Sequence, residues 1–306
     1  MARYRYAMHG LVVDTDVEVG GARGSDEVPS LTVCVGGARP VPPGMPDGEV
    51  LQSVSSPDTG LMFSTVRCAD GSLLLRVHHY VDFAISADLS TVTTWIDEKC
   101  PRAMVGVFIA GLLPSVLLQL GGSMVLHASA VEIGGRTLAF VADSGMGKST
   151  LGALLCDRGA RLVTDDVLRL DFTGPIVRCA LGTLENRLRP QAQALAGVGA
   201  PQSVDGRVLF RPIASDCALS EVAAVVIPSP RSDIDALQVR RMPAGEAILA
   251  LTRRPRIAGW VQPARHRAMF VALGQLVTQV PVYDVAVPWG PPFDPAVAEG
   301  LLRLVA

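Results

Sequence analysis

The chain has 306 residues, of which 49% are hydrophobic, and its formal net charge is −2. The length suggests about two domains with sizeable cores. The near-neutral charge excludes a strongly basic nucleic-acid-binding protein, and the hydrophobic fraction excludes a largely disordered chain. We therefore expect a folded protein whose partners do not include nucleic acid.

The six cysteines stand singly, with no Cys-x-x-Cys pair and no spacing typical of metal ligands. The N-terminus lacks the charged and apolar pattern of a secretory signal. Scattered single cysteines in such a chain are typical of reduced thiols, because disulfides are rare in the cytosol. The sequence therefore predicts a cytoplasmic protein without a structural zinc site.

Short β-prone runs separated by Gly, Pro and Asp turn signals fill the first hundred residues. They predict a small antiparallel sheet in a β-rich N-terminal domain, residues 1–96, with no recognisable group of chemically functional side chains. The predicted strands are Leu11–Val19, Leu31–Val35, Val50–Val54, Leu61–Val66, Leu73–Val77 and Val81–Ser86.

A helical region, about Asp97–Leu120, opens the second predicted domain, residues 97–306. Its most apolar part, Val105–Leu118, is interrupted by Pro114 and has 14 residues, fewer than the roughly 20 that cross a bilayer. The pattern therefore favours a buried helix and a protein without a membrane partner.

Alternating strand and helix patterns follow this region and predict an α/β core. A first strand turns at a Gly-Gly pair and pairs with the next as a hairpin. Asp294 is the expected N-cap of a last helix that begins at Pro295. The predicted strands are Met124–Ile133, Thr137–Val141, Ala160–Leu170, Val177–Leu188, Val222–Ile227, Leu237–Met242 and Val282–Val287, and the other helices are Ser149–Cys156, Gly245–Leu251 and His266–Val280.

The stretch Ala142–Thr150 has the Gly-x4-Gly-Lys-Ser/Thr pattern of a phosphate-binding loop (Walker A), with alanine at the first glycine. A predicted strand before it and a helix after it give the context that this motif requires. Backbone N–H groups and the helix dipole favour a bound anion, Lys148 reaches the β- and γ-phosphates, and the Ser149 hydroxyl binds Mg²⁺. The predicted ATP-binding residues are Ser144, Gly145, Met146, Gly147, Lys148, Ser149 and Thr150.

Lysine is rare in this chain, since Lys148 and Lys99 are the only two among 27 basic residues. A general need for positive charge would have placed arginine in the loop. A slim ammonium among phosphates is a specific requirement, and this supports the functional interpretation.

The pair Asp165–Asp166 follows an apolar strand, where a Walker B acid is expected. Neighbouring residues of a strand face opposite ways, but both can reach one site where the strand ends. We predict Asp165 as the base that accepts the proton of an attacking hydroxyl, and Asp166 as a metal ligand with Ser149. One of the two acids capping a turn is the alternative.

His127 lies in an otherwise apolar strand just before the loop. A lone histidine there is commonly a satisfied core residue. Its position also allows it to approach the acid pair or a transferring phosphate, so we include it among the predicted catalytic residues with Lys148 and the two aspartates.

Further polar residues follow the acid pair. Glu185 is a candidate second metal ligand and Arg187 a candidate anion contact, with a solvated loop as the alternative. The basic residues Arg253, Arg254 and Arg256 are candidates for binding substrate phosphates or an acidic peptide, and a solvated surface is the alternative there.

The order and spacing of His127, Lys148 and the Asp165–Asp166 pair resemble the HPr kinase/phosphorylase family, over about Val125–Arg189. The divergent HPr-kinase-like branch, which includes lasso-peptide precursor kinases, is the most similar, and Val280–Tyr283 resembles its tail. The resemblance implies a P-loop kinase core related to phosphoenolpyruvate carboxykinase, with Mg-ATP as donor and a serine hydroxyl as acceptor. Ala142 and the degenerate signature after the acid pair depart from the family.

These features predict an ATP-dependent kinase that phosphorylates a serine of a peptide or small protein, with a lasso-type precursor peptide as the favoured partner and Mg²⁺ as cofactor. A small-molecule kinase or a nucleotidyl transferase is the alternative among enzymes. A non-catalytic ATP-binding sensor is the alternative from another class, although a pure binder needs no base. The chain is also a candidate homo-oligomer.

Overall fold

The computed structural model describes residues 2–197 and 199–305. It is a mixed α/β protein that divides into two compact units. The first unit contains the residues before Gly122 together with Ile257–Arg267, and the second contains Gly122–Arg256 together with the residues after Arg267. The sequence predicted a domain boundary at residue 96. In the structure the first unit continues to Gly121, because the helical region packs into its core.

The described part of the first unit is built on a sheet with the strand order β3-β1-β2-β4-β9-β8-β7-β6-β5. Most neighbours are antiparallel, but β2–β4 and β4–β9 are parallel. The sheet is thus larger than the one predicted, and β1, β3 and β9 were not predicted. The strands are Tyr4–Met8 (β1), Leu11–Thr15 (β2), Arg23–Gly24 (β3), Leu31–Ala38 (β4), Glu49–Ser56 (β5), Gly60–Arg67 (β6), Leu73–Val77 (β7), Val81–Ile85 (β8) and Thr91–Ile96 (β9).

The apolar helical region forms two helices, Arg102–Ala110 (α1) and Leu112–Leu120 (α2), on either side of Gly111. Side chains of both helices, such as Ile109 and Leu113, lie fully buried in the core of the first unit. By length and composition alone Arg102–Leu120 is also apolar enough to cross a membrane, and half of it is buried inside the protein. The absence of a membrane partner stays a prediction.

A buried ion pair stabilises the first unit. The Asp82 carboxylate is fully buried on β8 and accepts hydrogen bonds from Arg76 Nε at 2.7 Å and Nη2 at 2.9 Å. Arg39 donates to the same carboxylate at 3.2 Å while its guanidinium stacks on Trp95. Only 8% of the Arg76 side chain is exposed, so its charge depends on Asp82 for compensation.

We predict that Asp82→Asn lowers the free energy of unfolding by about 3 kcal/mol, because it leaves the buried Arg76 charge uncompensated. Denaturant unfolding measures this change. Asp233→Asn removes an exposed ion pair with Arg231 and is the matched control, with little change expected because solvent screens this pair. Equal effects of the two substitutions would contradict the prediction.

The second unit carries a sheet with the strand order β10-β14-β15-β18-β12-β11-β13, and β20 pairs with β18 and β19. The strands β12, β18 and β20 run parallel, so their carboxyl ends meet at one edge. The strands are Met124–Leu126 (β10), Ala128–Ile133 (β11), Arg136–Val141 (β12), Arg161–Thr164 (β13), Leu168–Asp171 (β14), Arg178–Ala180 (β15), Asn186–Leu188 (β16), Val208–Phe210 (β17), Leu219–Arg231 (β18), Gln238–Arg241 (β19) and Val282–Pro288 (β20).

Helices cover both faces of this sheet. The helices are Lys148–Asp157 (α3), Ala244–Thr252 (α4), Pro263–Gln279 (α5) and Pro295–Leu302 (α6), with a 3₁₀ turn at Pro190–Ala196. One core packs apolar residues of α3 and α6 against the sheet, and the other packs residues of α4 and α5. The predicted cap is confirmed, since the Asp294 side chain accepts a hydrogen bond from the backbone N–H of Ala296.

The strand predicted over Val177–Leu188 divides into β15 and β16, and two further predicted strands are interrupted at polar residues. The predicted hairpin of β11 and β12 is confirmed, but the strand before it breaks at His127. The strand predicted over Ala160–Leu170 breaks at Asp165–Asp166 and resumes as β14. His127 and the Asp165–Asp166 pair therefore lie outside the regular strands, and the sequence predicts a catalytic role for each of these residues.

Candidate active site

The loop between β12 and α3 has the backbone that its glycines were expected to allow. Gly145 and Gly147 have φ values of +89° and +84°, which side chains with a Cβ rarely adopt. Among the described residues, the residues other than glycine with a positive φ are His9, His79, Leu89 and Asp166. Ala142 is not one of them, so its φ is not positive. Alanine at the first position of the motif therefore fits without backbone strain.

Lys148 is the first residue of α3, and only 6% of it is exposed. Its Nζ donates to the carbonyl oxygens of Ala142 at 2.8 Å and Asp143 at 3.0 Å. Burial lowers the pKa of this ammonium, and the nearby carboxylates of Asp165 and Asp166 act in the opposite direction. The two carbonyl groups thus hold the lysine across the base of the loop.

The aspartate pair sits in a bend where Asp166 has a φ of +73°. Aspartate is one of the few residues other than glycine that take this left-handed conformation readily. The Val167 N–H donates to the Asp165 carbonyl at 3.0 Å, which closes the bend. The bend breaks the alternation of the strand and gives the two carboxylates different surroundings on one side of the loop.

Asp165 is buried, with 5% of its surface exposed. The Ser149 hydroxyl donates to its Oδ1 at 2.8 Å, and the Arg187 backbone N–H lies 3.3 Å from Oδ2. Burial raises the pKa of this carboxyl, and the negative charge of Asp166 raises it further. The loop serine and the first aspartate therefore share one polar pocket.

Asp166 is half-buried, with 45% of its side chain exposed. Its Oδ1 is 3.0 Å from His127 Nε2 and its Oδ2 accepts from Arg256 Nη2 at 2.6 Å. Burial by itself raises the pKa of this carboxyl, but Arg256 and His127 together outweigh it and hold the pKa below its usual range. Asp166 is therefore an accessible carboxylate whose orientation is fixed by two donors.

The three arginines of the basic stretch, Arg253, Arg254 and Arg256, have different surroundings. Pro255 bridges to Leu126, which brings the stretch alongside β10 next to His127. Arg256 binds Asp166, and Arg254 Nε lies 3.6 Å from the Asp143 carboxylate of the loop. Arg253, at the end of α4, is exposed. Two of the three arginines predicted to bind substrate thus contact acidic residues of the site itself.

The residues predicted after the acid pair have other partners. Glu185 is 9% exposed and its Oε2 accepts from Arg211 Nε at 2.6 Å. The contacts of the described residues do not join Glu185 to either aspartate of the pair. The Arg187 side chain binds Asp205, while its backbone contacts Asp165. The metal role of Glu185 and the anion role of the Arg187 side chain remain predictions.

Arg189 was not selected from the sequence, yet its guanidinium lies against the loop. Its Nη2 is 2.8 Å from where a Cβ of Gly145 would be. The residue is exposed, and no ion pair or side-chain hydrogen bond is found for it in the part of the chain that the structure describes. The sequence offered one signal for Arg189, which is that it lies two residues beyond Arg187. In the structure Arg189 directly follows β16.

Magnesium fits the donors at Ser149 and Asp165. Within residues 2–197 and 199–305 no group of three or more His, Cys, Asp or Glu side chains is placed to hold a metal ion. Mg²⁺ differs from a caged metal because proteins usually hold it with one or two carboxylates while phosphate oxygens and water complete the shell. A hydroxyl and a carboxylate 2.8 Å apart provide such a partial set of hard oxygen donors.

These contacts favour a division of roles opposite to the one the sequence predicted. Asp165 is buried and bonded to Ser149, the predicted metal ligand, whereas Asp166 is accessible and bonded to His127 and Arg256. A base must be reachable by the acceptor hydroxyl, and a metal ligand must be near Ser149. The geometry thus supports Asp165 on the metal side and Asp166 as the base.

No family model matches this chain, and no curated protein matches it. One similar solved structure is the HPr(Ser) kinase/phosphatase from Coxiella burnetii. The two chains are 15% identical over 59% of this chain and 94% of that one, with a TM-score of 0.33. A likeness at this level carries no functional argument, so the contacts above carry the proposal.

The two aspartates are expected to affect stability with opposite signs. Because the folded pKa of Asp165 is raised, the unfolded chain loses its proton first as pH rises above about 4, and stability falls over that window. Because the folded pKa of Asp166 is lowered, this group stabilises the fold above about pH 4, and the contribution is lost as pH falls below that value.

We predict that at pH 7 Asp165→Asn raises the unfolding temperature, by roughly 2–4 °C for a gain of about 1 kcal/mol, whereas Asp166→Asn lowers it. Thermal unfolding between pH 3 and pH 8 measures both differences, which should shrink toward the acid end. Asp235→Asn, at an exposed position of the second unit, is the control for a change of charge alone. Shifts of the same sign in both variants would contradict this account.

Proposed function

We propose that this protein is an ATP-dependent phosphotransferase that moves the γ-phosphate to a serine hydroxyl of a peptide or small protein. The observation that carries the proposal is the meeting of the loop and the acid pair. Ser149, the second residue of α3, bonds to Asp165 at 2.8 Å, and Asp166 is presented to solvent by His127 and Arg256. A phosphate cradle and an accessible base thus share one site.

The phosphate side of the site is made by the loop backbone and by cations. The start of α3 and the glycines that precede it offer N–H groups to an anion. Lys148 crosses the base of the loop and Arg189 lies against it at Gly145. A triphosphate bound there exchanges the carbonyl partners of Lys148 for phosphate oxygens.

The metal side is made by Ser149 and Asp165. These two residues would hold Mg²⁺, which neutralises charge on the phosphate oxygens when it is bound. The raised pKa of Asp165 is consistent with this role, because a buried carboxyl without a cation is destabilised in its charged form. Its hydrogen bonds from Ser149 and Arg187 keep it oriented toward the loop.

The acceptor side is made by Asp166 with His127 and Arg256. Asp166 is ionised at neutral pH, as an aspartate normally is, and its lowered pKa makes it a weak base whose usefulness depends on where it is held. His127 and Arg256 hold one oxygen each, which fixes the carboxylate without hiding it. Phosphoryl transfer depends mainly on such positioning and charge, so a weak base is sufficient.

The acceptor class rests on the motif resemblance to the divergent HPr-kinase-like branch. The lasso-peptide precursor kinases of that branch phosphorylate a serine at the C-terminus of the precursor, and we propose the same class of acceptor here. The solved HPr(Ser) kinase/phosphatase gives this assignment no support of its own at its level of similarity.

The test is incubation of the protein with Mg-ATP and a set of peptides that end in serine, followed by mass spectrometry of the peptides. We expect addition of a phosphate to the terminal serine and none to matched peptides ending in alanine. Addition of a nucleotide would replace the kinase by a nucleotidyl transferase. Binding of ATP without release of ADP, with every peptide, would favour a sensor.

A further inference from the structure

The C-terminal ends of four strands, β12, β13, β18 and β20, meet at the edge of the second sheet where the phosphate loop lies. β13 runs antiparallel to β11, which is antiparallel to β12, so β13 ends at the same edge as β12. On the other side of β12, the parallel strands β18 and β20 end there as well. The acid pair lies at the carboxyl end of β13, on the β11 side of the loop, and the chain then crosses to β14, which pairs with β15; β18 and β20 lie on the other side of β12.

This order gives a bound nucleotide a direction. In the proposed function, on which this inference rests, the γ-phosphate lies toward Asp165 and Asp166. The ribose and base must then extend from the loop toward the ends of β18 and β20. Ligands of α/β sheets bind at the carboxyl ends of the strands, so this is the expected place for the rest of the molecule.

The end of β18 reaches the loop directly. This strand continues five residues past Val226, which belongs to the last row that pairs β12 with β18. Pro230 Cγ is 4.0 Å from where a Cβ of Gly147 would be, and Pro230 is paired with Val287 of β20. A short apolar path therefore leads from the phosphate loop across β18 to the end of β20.

Trp289 stands at the end of that path. Its backbone N–H donates to the Arg231 carbonyl at 2.8 Å, which extends the pairing of β20 by one residue. Side chains of a strand alternate, so Trp289 shares a face with Val285 and Val287, which pack in the core formed with α3. Strand spacings of about 4.8 Å and a rise of about 3.3 Å per residue put it roughly 10–15 Å from Gly147.

Trp289 is 72% exposed. The other two tryptophans, Trp95 and Trp260, are partly buried, and each has an arginine guanidinium stacked on its ring. Among the described residues no ring or cation stacks on Trp289. A large aromatic face left open beside a phosphate loop is suited to stacking on a planar ligand group.

We propose that Trp289 is the platform on which the base of the bound nucleoside triphosphate stacks. The loop and Lys148 bind the phosphates, and the indole binds the base on the side away from the acid pair. Base–aromatic stacking is sequence-tolerant, so this contact accepts a purine by its π-face and adds affinity without reading its edges.

The test is calorimetry with two ligands in the presence of Mg²⁺, a non-hydrolysable ATP analogue and inorganic tripolyphosphate, which has no base. We expect Trp289→Ala to weaken binding of the analogue about tenfold or more and to leave tripolyphosphate binding unchanged. Trp289→Phe should keep most of the affinity. Phe270→Ala removes another exposed aromatic residue, on α5 and the opposite face, and is the matched control.

Two outcomes separate this inference from the function on which it rests. If the wild-type protein binds both ligands and Trp289→Ala binds the analogue equally well, the stacking platform is refuted and the phosphate site stands. If the wild-type protein binds neither ligand, the phosphate site is refuted, and the platform with it.

Discussion

Asp166→Asn is expected to lower the rate of phosphate transfer by about 10²–10⁴-fold, the usual contribution of a positioned general base. Asparagine cannot accept the proton of a hydroxyl, but its amide oxygen still accepts from Arg256. It also tolerates the left-handed backbone of this position, where alanine adds strain. The loss should therefore fall on turnover, with little change in the affinity for Mg-ATP.

The measurement is single-turnover transfer to the acceptor peptide, with nucleotide affinity determined separately. Asp171→Asn is the matched control, because it makes the same chemical change at the end of β14, where the carboxylate bonds to Thr173. This control should transfer phosphate at the wild-type rate. Transfer by Asp166→Asn at that same rate would show that Asp166 is not the base.

Lys148→Ala is expected to weaken binding of Mg-ATP and to lower the rate of phosphate transfer by about 10²–10³-fold. Loss of a group that stabilises charge developing in the transition state usually has an effect of this size. Lys148 is 6% exposed and its ammonium crosses the base of the loop, a position that neither Arg189 nor Arg254 occupies. Lys148→Arg should also fail, because a planar guanidinium does not fit where two carbonyl groups hold a slim ammonium.

The chain provides a matched control for this prediction. Lys99 is the only other lysine, and it is exposed in the first unit. Lys99→Ala should leave nucleotide affinity and transfer unchanged. Equal affinities for Mg-ATP in the wild type and in Lys148→Ala would remove the loop from the proposed phosphate site.

Local patterns in the sequence were sufficient for much of the second unit. The hairpin of β11 and β12, the helix after the loop and the cap at Asp294 follow from short-range signals, and each has the predicted form. The phosphate loop has a fixed spacing, so its residues can be read without knowledge of the rest of the chain.

Contacts between distant segments could not be read in the same way. Arg256 reaches Asp166 from 90 residues away, because Pro255 bridges to Leu126. Arg189 reaches Gly145 because β16 ends beside the loop. No periodicity records such pairings.

The different contacts of the two aspartates could not be read from the sequence for a related reason. Alternation along a strand predicts that Asp165 and Asp166 face opposite ways, and it does not say which one meets Ser149. The positive φ of Asp166 and the depth of Asp165 decide this, and both are properties of the folded chain. The unit boundary likewise depends on where the apolar helices α1 and α2 pack.

The most direct test of the central claim is a crystal structure of the protein with Mg²⁺ and a non-hydrolysable ATP analogue. We predict that the triphosphate lies over residues 143–149, with the metal between Ser149 and Asp165 and with Asp166 open to the acceptor. A nucleotide bound elsewhere, or a metal held away from Ser149 and Asp165, would contradict the account.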